Sequence, residues 1–110
     1  MPTRYYNIDG STATEVELLA PGSGAGDINV IWIANPDLSN AVSCSLYLED
    51  NPTSGTTKRI ALFRGLSIPA KTSLLLDNKD LLSFNNSSTT GFGLYITVGS
   101  ASDSLDVIIK

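Results

Sequence analysis

The chain has 110 residues, a formal net charge of −4, no histidine and a single cysteine. This length is that of one domain and is sufficient to bury a single hydrophobic core. The seven basic residues are scattered through an acidic chain, which argues against binding to nucleic acid or to anionic membranes, because both need a basic patch.

The N-terminal residues carry no regular hydrophobic pattern. Residues 1–12, which include Tyr5 and Tyr6, are predicted to form an extended N-terminal arm, and residues 13–110 a β domain. The start lacks the apolar segment of a signal peptide, and no apolar run approaches the length of about 20 residues that a membrane-spanning helix needs. Synthesis and assembly in a cytoplasm are therefore expected.

Short segments of alternating apolar and polar residues follow one another along the domain, separated by Gly, Ser, Thr, Asn and Pro. Val42–Glu49 alternates most clearly, whereas Ile28–Ala34 is apolar on both sides. Such segments are typical of strands, and none sustains the spacing of an amphipathic helix. The predicted strands span residues 13–19, 28–34, 41–49, 58–66, 74–76, 92–98 and 104–110, with 81–84 as a further strand or a single helical turn.

Seven or eight short strands at this spacing predict an all-β fold, an antiparallel β-sandwich of the jelly-roll or immunoglobulin-like kind. Two packed sheets need one inward apolar row per strand. The sequence supplies these rows as Val16/Leu18, Val30/Trp32, Val42/Cys44/Leu46/Leu48, Ile60/Leu62, Leu74/Leu76, Leu94/Ile96/Val98 and Leu105/Val107/Ile109.

Further apolar residues fall between those rows and are therefore expected on the outer faces. Large apolar patches on an outer face usually mark an interface, so self-association is predicted, although isolated exposed residues or a covering arm would also explain them. Tyr5 and Tyr6 of the arm, with Ile31 and Ile33 of the doubly apolar strand, are the candidate interface residues. The other off-row residues are Tyr47, Phe63, Leu75, Tyr95 and Ile108.

The residue types of common catalytic and metal sites are poorly represented. Without histidine, neither a Ser-His-Asp nor a Cys-His nucleophile can be built, and one cysteine cannot complete a zinc site. Gly22–Gly26 lacks the Lys-Ser/Thr ending of a phosphate-binding loop, and Asp77–Asp80 lacks the ligand spacing of a calcium loop. Cys44 is expected to be buried. The carboxylates of Glu15, Glu17, Glu49 and Asp50 lie on outward strand positions or at strand ends and are expected to be solvated. No catalytic residue, metal or cofactor is predicted.

Four segments share a recognisable pattern. They are Ile28–Asn35, Ala41–Asp50 with its Ser-Leu-Tyr-Leu, Gly65–Asp77 with its Ile-Pro-Ala corner, and the ending Ser104–Ile109. Together they resemble a group of small virion structural proteins of tailed bacteriophages. The resemblance covers about residues 27–110. It implies a non-enzymatic β-sandwich present in many copies on the particle.

The resulting hypothesis is a homo-oligomeric virion protein, a trimer being one option, that binds the major capsid protein or another virion protein and decorates the outside of the head. A tail, neck or fibre component is one alternative. Another is a carbohydrate- or receptor-binding module, with specificity in loops 50–57 and 85–91. The aromatic residues that could form a sugar-binding platform are Tyr5, Tyr6, Trp32 and Tyr95. In the head hypothesis the N-terminal arm pairs as an added strand with a neighbour.

Overall fold

Eight strands and one short helix make up the regular structure of the described residues. The computed structural model describes residues 3–23, 27–50 and 56–110. Its elements, in chain order, are β1 (Arg4–Asp9), β2 (Glu15–Leu19), β3 (Ile31–Asn35), β4 (Val42–Asp50), β5 (Arg59–Ile68), β6 (Thr72–Leu76), α1 (Lys79–Leu82), β7 (Phe92–Val98) and β8 (Ser104–Ile109).

The strands form two antiparallel four-stranded sheets. The first sheet has the order β1-β8-β3-β6 and the second the order β2-β7-β4-β5. β1 pairs with β8, β2 with β7, β3 with β6 and β4 with β5. The chain is therefore a long hairpin folded over on itself. This is the strand arrangement of a jelly roll, which confirms the predicted β-sandwich and favours the jelly-roll form over the immunoglobulin-like one.

The core lies between the two sheets, and several predicted rows line it. The row of β4 is inward-facing, and those of β7 and β8 are fully buried. Val16 and Leu18 of β2 and Leu74 and Leu76 of β6 also pack into or against the core. In β2 and β4 apolar residues largely alternate with polar ones, which is why the orientation of these strands could be predicted, whereas the run Leu74–Leu76 of β6 is apolar on both faces.

The orientation of β3 was predicted wrongly. Ile31 and Ile33 are fully buried in the core, whereas Trp32 faces outward and is only half-buried. The sequence of β3 is apolar on both sides, so its own pattern cannot distinguish the two faces. Strand pairing determines which face of β3 is inward, because Ile33 lies opposite the inward-facing Val107 of β8 and Leu74 of β6.

Residues 4–9 of the predicted arm are the edge strand of the first sheet. Strand β1 pairs with β8 along its whole length, and Ile8 is buried in the core. Tyr6 faces inward, and its hydroxyl donates a hydrogen bond to the Leu18 carbonyl of the second sheet. These contacts are made within the chain itself, so residues 4–9 do not need a neighbour to be ordered.

Strand β5 is the irregular edge of the second sheet. Its register against β4 shifts twice, and Gly65 lies at one of these shifts with a φ of +62°. Glycine adopts this conformation without the strain that other residues incur, which suits it to a bulge. Ile60 and Leu62, predicted as core, are 50% and 37% exposed. Because the register shifts at Leu62, Phe63, which was predicted to face outward, lies opposite the buried Leu46 and packs against the core instead.

Candidate interaction surfaces

The outer face of the second sheet is covered by polar contacts. The Arg59 guanidinium lies 2.7 Å from a Glu15 carboxylate oxygen and 2.8 Å from one of Glu49, and it stacks 4.6 Å from the ring centroid of Tyr47. The Tyr95 hydroxyl donates to Glu17 at 2.8 Å; burial and this hydrogen bond raise the pKa of Tyr95. Tyr47 and Tyr95 do face outward as predicted, but charged side chains shield them, so this face is not apolar.

The outer face of the first sheet carries an apolar row that crosses all four strands. The strand pairing places Tyr5 beside Ile108, Ile108 beside Trp32, and Trp32 beside Leu75. Tyr5 is 74% and Leu75 55% exposed, while Ile108 and Trp32 are half-buried. We call these four residues the outer row. Tyr5, Leu75 and Ile108 were predicted on the outside, but the continuous row was not recognised because Trp32 was assigned to the core.

The two open sides of the sandwich, where the edge strands of the two sheets face each other, differ in how closely the sheets are joined. On the β1–β2 side, the Tyr6–Leu18 hydrogen bond joins the sheets. On the other side, β5 and β6 leave between them a groove of about 260 Å³. The side chains that line it include Leu62 and Phe63 of β5, Leu75 and Leu76 of β6, and Leu81 and Leu82 at α1.

Exposed apolar side chains are concentrated on this second side. Seven large hydrophobic residues are exposed in the described part of the chain, and five of them lie on β5, β6 or α1. We call these five the open edge: Ile60, Leu62, Leu66, Leu75 and Leu81. Leu75 belongs to both surfaces, so the open edge and the outer row are continuous.

The shape of β5 limits how a partner can bind at the open edge. Bulges twist a strand and interrupt its ladder, and they are a common means of preventing strand addition at a sheet edge. With two register shifts and the exposed Arg64 at one of them, β5 is a poor template for another strand. A partner is therefore expected to pack on the apolar side chains rather than to extend the sheet.

The predicted contact residues are divided between surface and core. Tyr5 is exposed and belongs to the outer row, whereas Tyr6 points inward and lies against the core. Ile31 and Ile33, being fully buried, cannot contact a partner in the folded protein. Of the loops considered for specificity, residues 51–55 lie outside the described part of the chain, as do residues 24–26 of the glycine-rich segment.

The polar candidates are held by structural contacts. Asn78 caps α1 by accepting from the Asp80 and Leu81 amides, and buried Asn86 donates to the carbonyls of Ala20 and Phe92. Within residues 3–23, 27–50 and 56–110 no group of three or more His, Cys, Asp or Glu residues could hold a metal ion. Burial raises the pKa of the Cys44 thiol to about 11, which keeps it protonated and unreactive at neutral pH.

Searches of protein-family models and of curated proteins found no match to this chain. Among the described residues, no helix is long and apolar enough to cross a membrane.

Proposed function

We propose that this protein is a non-enzymatic virion structural protein of a tailed bacteriophage, most simply a capsid decoration protein. In this role it occupies the outside of the head and associates, through the open edge, with further copies of itself and with the major capsid protein. The observation that carries the proposal is the concentration of five exposed hydrophobic side chains on one side of the sandwich. Large exposed apolar patches on a small domain usually mark protein interfaces.

Two further features support this role. The jelly roll is a recurrent architecture of viral capsid proteins, although it also occurs in lectins, so this support is by analogy of fold. The resemblance of residues 27–110 to small phage virion proteins points the same way. A low charged fraction of 16% is also compatible with a surface that partners largely cover.

Quantitative mass spectrometry of purified phage particles that encode this chain tests the proposal. A decoration protein should be present in a copy number similar to that of the major capsid protein. A few copies per particle would instead assign the chain to the neck, tail or fibres, and absence from the particle would overturn the virion role altogether.

A further inference from the structure

A shallow slot lies on the outer face of the first sheet, at the β1 end of the outer row. Tyr5 and Trp32 flank Ile108 in the same row, and neighbouring strands lie about 4.8 Å apart, so the two aromatic side chains originate about 10 Å from each other. The slot between them has a volume of about 440 Å³. An aromatic residue therefore stands on each side of a floor formed by Ile108.

A pair of polar side chains forms one wall of the slot. Asn7 and Asp106 lie directly opposite each other, one row along from Tyr5 and Ile108. The Asn7 Nδ2 atom donates to Asp106 Oδ1 at 2.7 Å, which fixes the orientation of both groups. The Asn7 amide oxygen and the second Asp106 oxygen then remain as acceptors for hydroxyl groups of a ligand.

This combination matches the chemistry of a sugar ring. A pyranose has an apolar C–H face, which packs on an aromatic ring, and a rim of hydroxyl groups, which donate to carboxylate and amide oxygens. Among the described residues that line the slot, Asp106 is the only charged one, and its negative charge disfavours an anionic ligand. We propose that the slot between Tyr5 and Trp32 binds a neutral pyranose unit of a glycan.

The site is separate from the proposed assembly role, because it lies at β1, β8 and β3 rather than at the open edge. Trp32 is the only tryptophan of the chain, so its fluorescence reports directly on the slot. The experiment is an array of neutral and anionic glycans, followed by titration of the full chain with neutral oligosaccharides of glucose, galactose, mannose or N-acetylglucosamine. Neutral glycans are expected to bind and to change the Trp32 fluorescence.

Two variants test whether the glycan binds in the slot. Tyr5→Ala removes one aromatic wall from an exposed position and should weaken binding at least about fivefold, and Asp106→Asn should also weaken it because a charged acceptor is lost. Leu38→Ala, at a 78% exposed position away from the slot, is the control and should bind as the parent does. Circular dichroism confirms that each variant is folded.

Several results would overturn the inference. These are the absence of any neutral-glycan binding, binding that survives Tyr5→Ala unchanged, and binding restricted to anionic glycans. A loss of self-association in Tyr5→Ala without any glycan binding would show instead that this face is a protein interface. None of these results bears on whether the chain is present in virions.

Discussion

In the sequence Tyr6 was a candidate contact residue, but in the structure its side chain stabilises the fold. The register of β2 against β7 shifts between Glu17 and Leu19, so Leu18 has no partner in that ladder. The Tyr6 hydroxyl, reaching across from the first sheet, donates to the Leu18 carbonyl. A buried carbonyl without a partner is costly, and this hydrogen bond therefore stabilises the β1–β2 side of the sandwich.

Tyr6→Phe should lower the free energy of unfolding by about 1–2 kcal/mol, because it leaves the Leu18 carbonyl without its donor while preserving the ring. Tyr5→Phe is a matched control, since the Tyr5 side chain is exposed, and it should change stability by less than about 0.5 kcal/mol. Urea denaturation measures both. Equal effects of the two substitutions would contradict this role of Tyr6.

Cys44 should make stability depend on alkaline pH. Its thiol has a pKa of about 11 in the folded protein against an ordinary value of 9.0, because burial disfavours the thiolate. Well below pH 9 the thiol is protonated in both states and contributes no pH dependence. Between pH 9 and 11 only the unfolded chain releases the proton, so stability falls as pH rises, by about 1–3 kcal/mol.

The measurement is the free energy of unfolding of the parent and of Cys44→Ala at several pH values from 8 to 11. Cys44→Ala should be less stable throughout because it leaves a small cavity, but its stability should fall less steeply above pH 9. An identical slope for the two proteins would show that the thiol does not contribute to the pH dependence.

Among the structural elements, β5 and β7 contain glycines for different physical reasons. Gly65 of β5 has a φ of +62° and nothing within 4 Å of the position that a Cβ would occupy. Gly93 of β7 has no such backbone requirement, but a Cβ there would lie 2.5 Å from the Leu19 carbonyl oxygen and 2.9 Å from Pro21 Cδ. The first glycine allows a bulge, and the second allows close approach of β2.

Gly65→Ala should therefore cost only the strain of a left-handed backbone, about 1 kcal/mol, and Gly65→Asn less. Gly93→Ala should cost more, about 2 kcal/mol or above, because the backbone of β2 must move to make room. Thermal and urea denaturation of the variants give the comparison. If Gly65→Ala were the more damaging substitution, the assignment of the two roles would be wrong.

Most of the β architecture could be predicted from the sequence. Strand β7 was placed at residues 92–98, as observed, and β4, with its strict alternation, was oriented correctly. The orientation of β3 could not be predicted, because residues 30–33 are apolar on both faces and only pairing with β8 and β6 distinguishes them. Since Trp32 faces outward for that reason, the outer row was missed.

The exposure of the apolar side chains of β5 also could not be predicted from the sequence. Ile60 and Leu62 look like an inward row, but the register shift places Phe63 rather than Leu62 opposite inward-facing Leu46, and only Ile60 keeps its inward partner, Leu48. Whether an inward residue is covered depends on how far the opposite sheet extends, and β6 is only half as long as β5, with 5 residues against 10. This difference in length, which leaves the groove between them, can be seen only in the assembled sandwich.

For the whole molecule, the asymmetry between the two sides is the feature that bears on function. Tyr6 joins the sheets on the β1–β2 side, while the β5–β6 side exposes leucine and isoleucine around a groove. The polar outer face of the second sheet leaves the open edge and the outer row as the apolar surfaces of the described residues. Association is therefore expected at the open edge, with the slot near Tyr5 left accessible.

Sedimentation analysis of the purified chain, alone over a range of concentrations and mixed with expanded capsids, tests this account most directly. The parent should self-associate or sediment with capsids. The double variant Leu62→Ser/Leu81→Ser should weaken either interaction at least about tenfold, because less apolar surface becomes buried on binding. Leu38→Ser, which removes an equally apolar side chain that is 78% exposed elsewhere, should behave as the parent does. A parent chain that remains monomeric at every concentration and does not sediment with capsids would contradict the account.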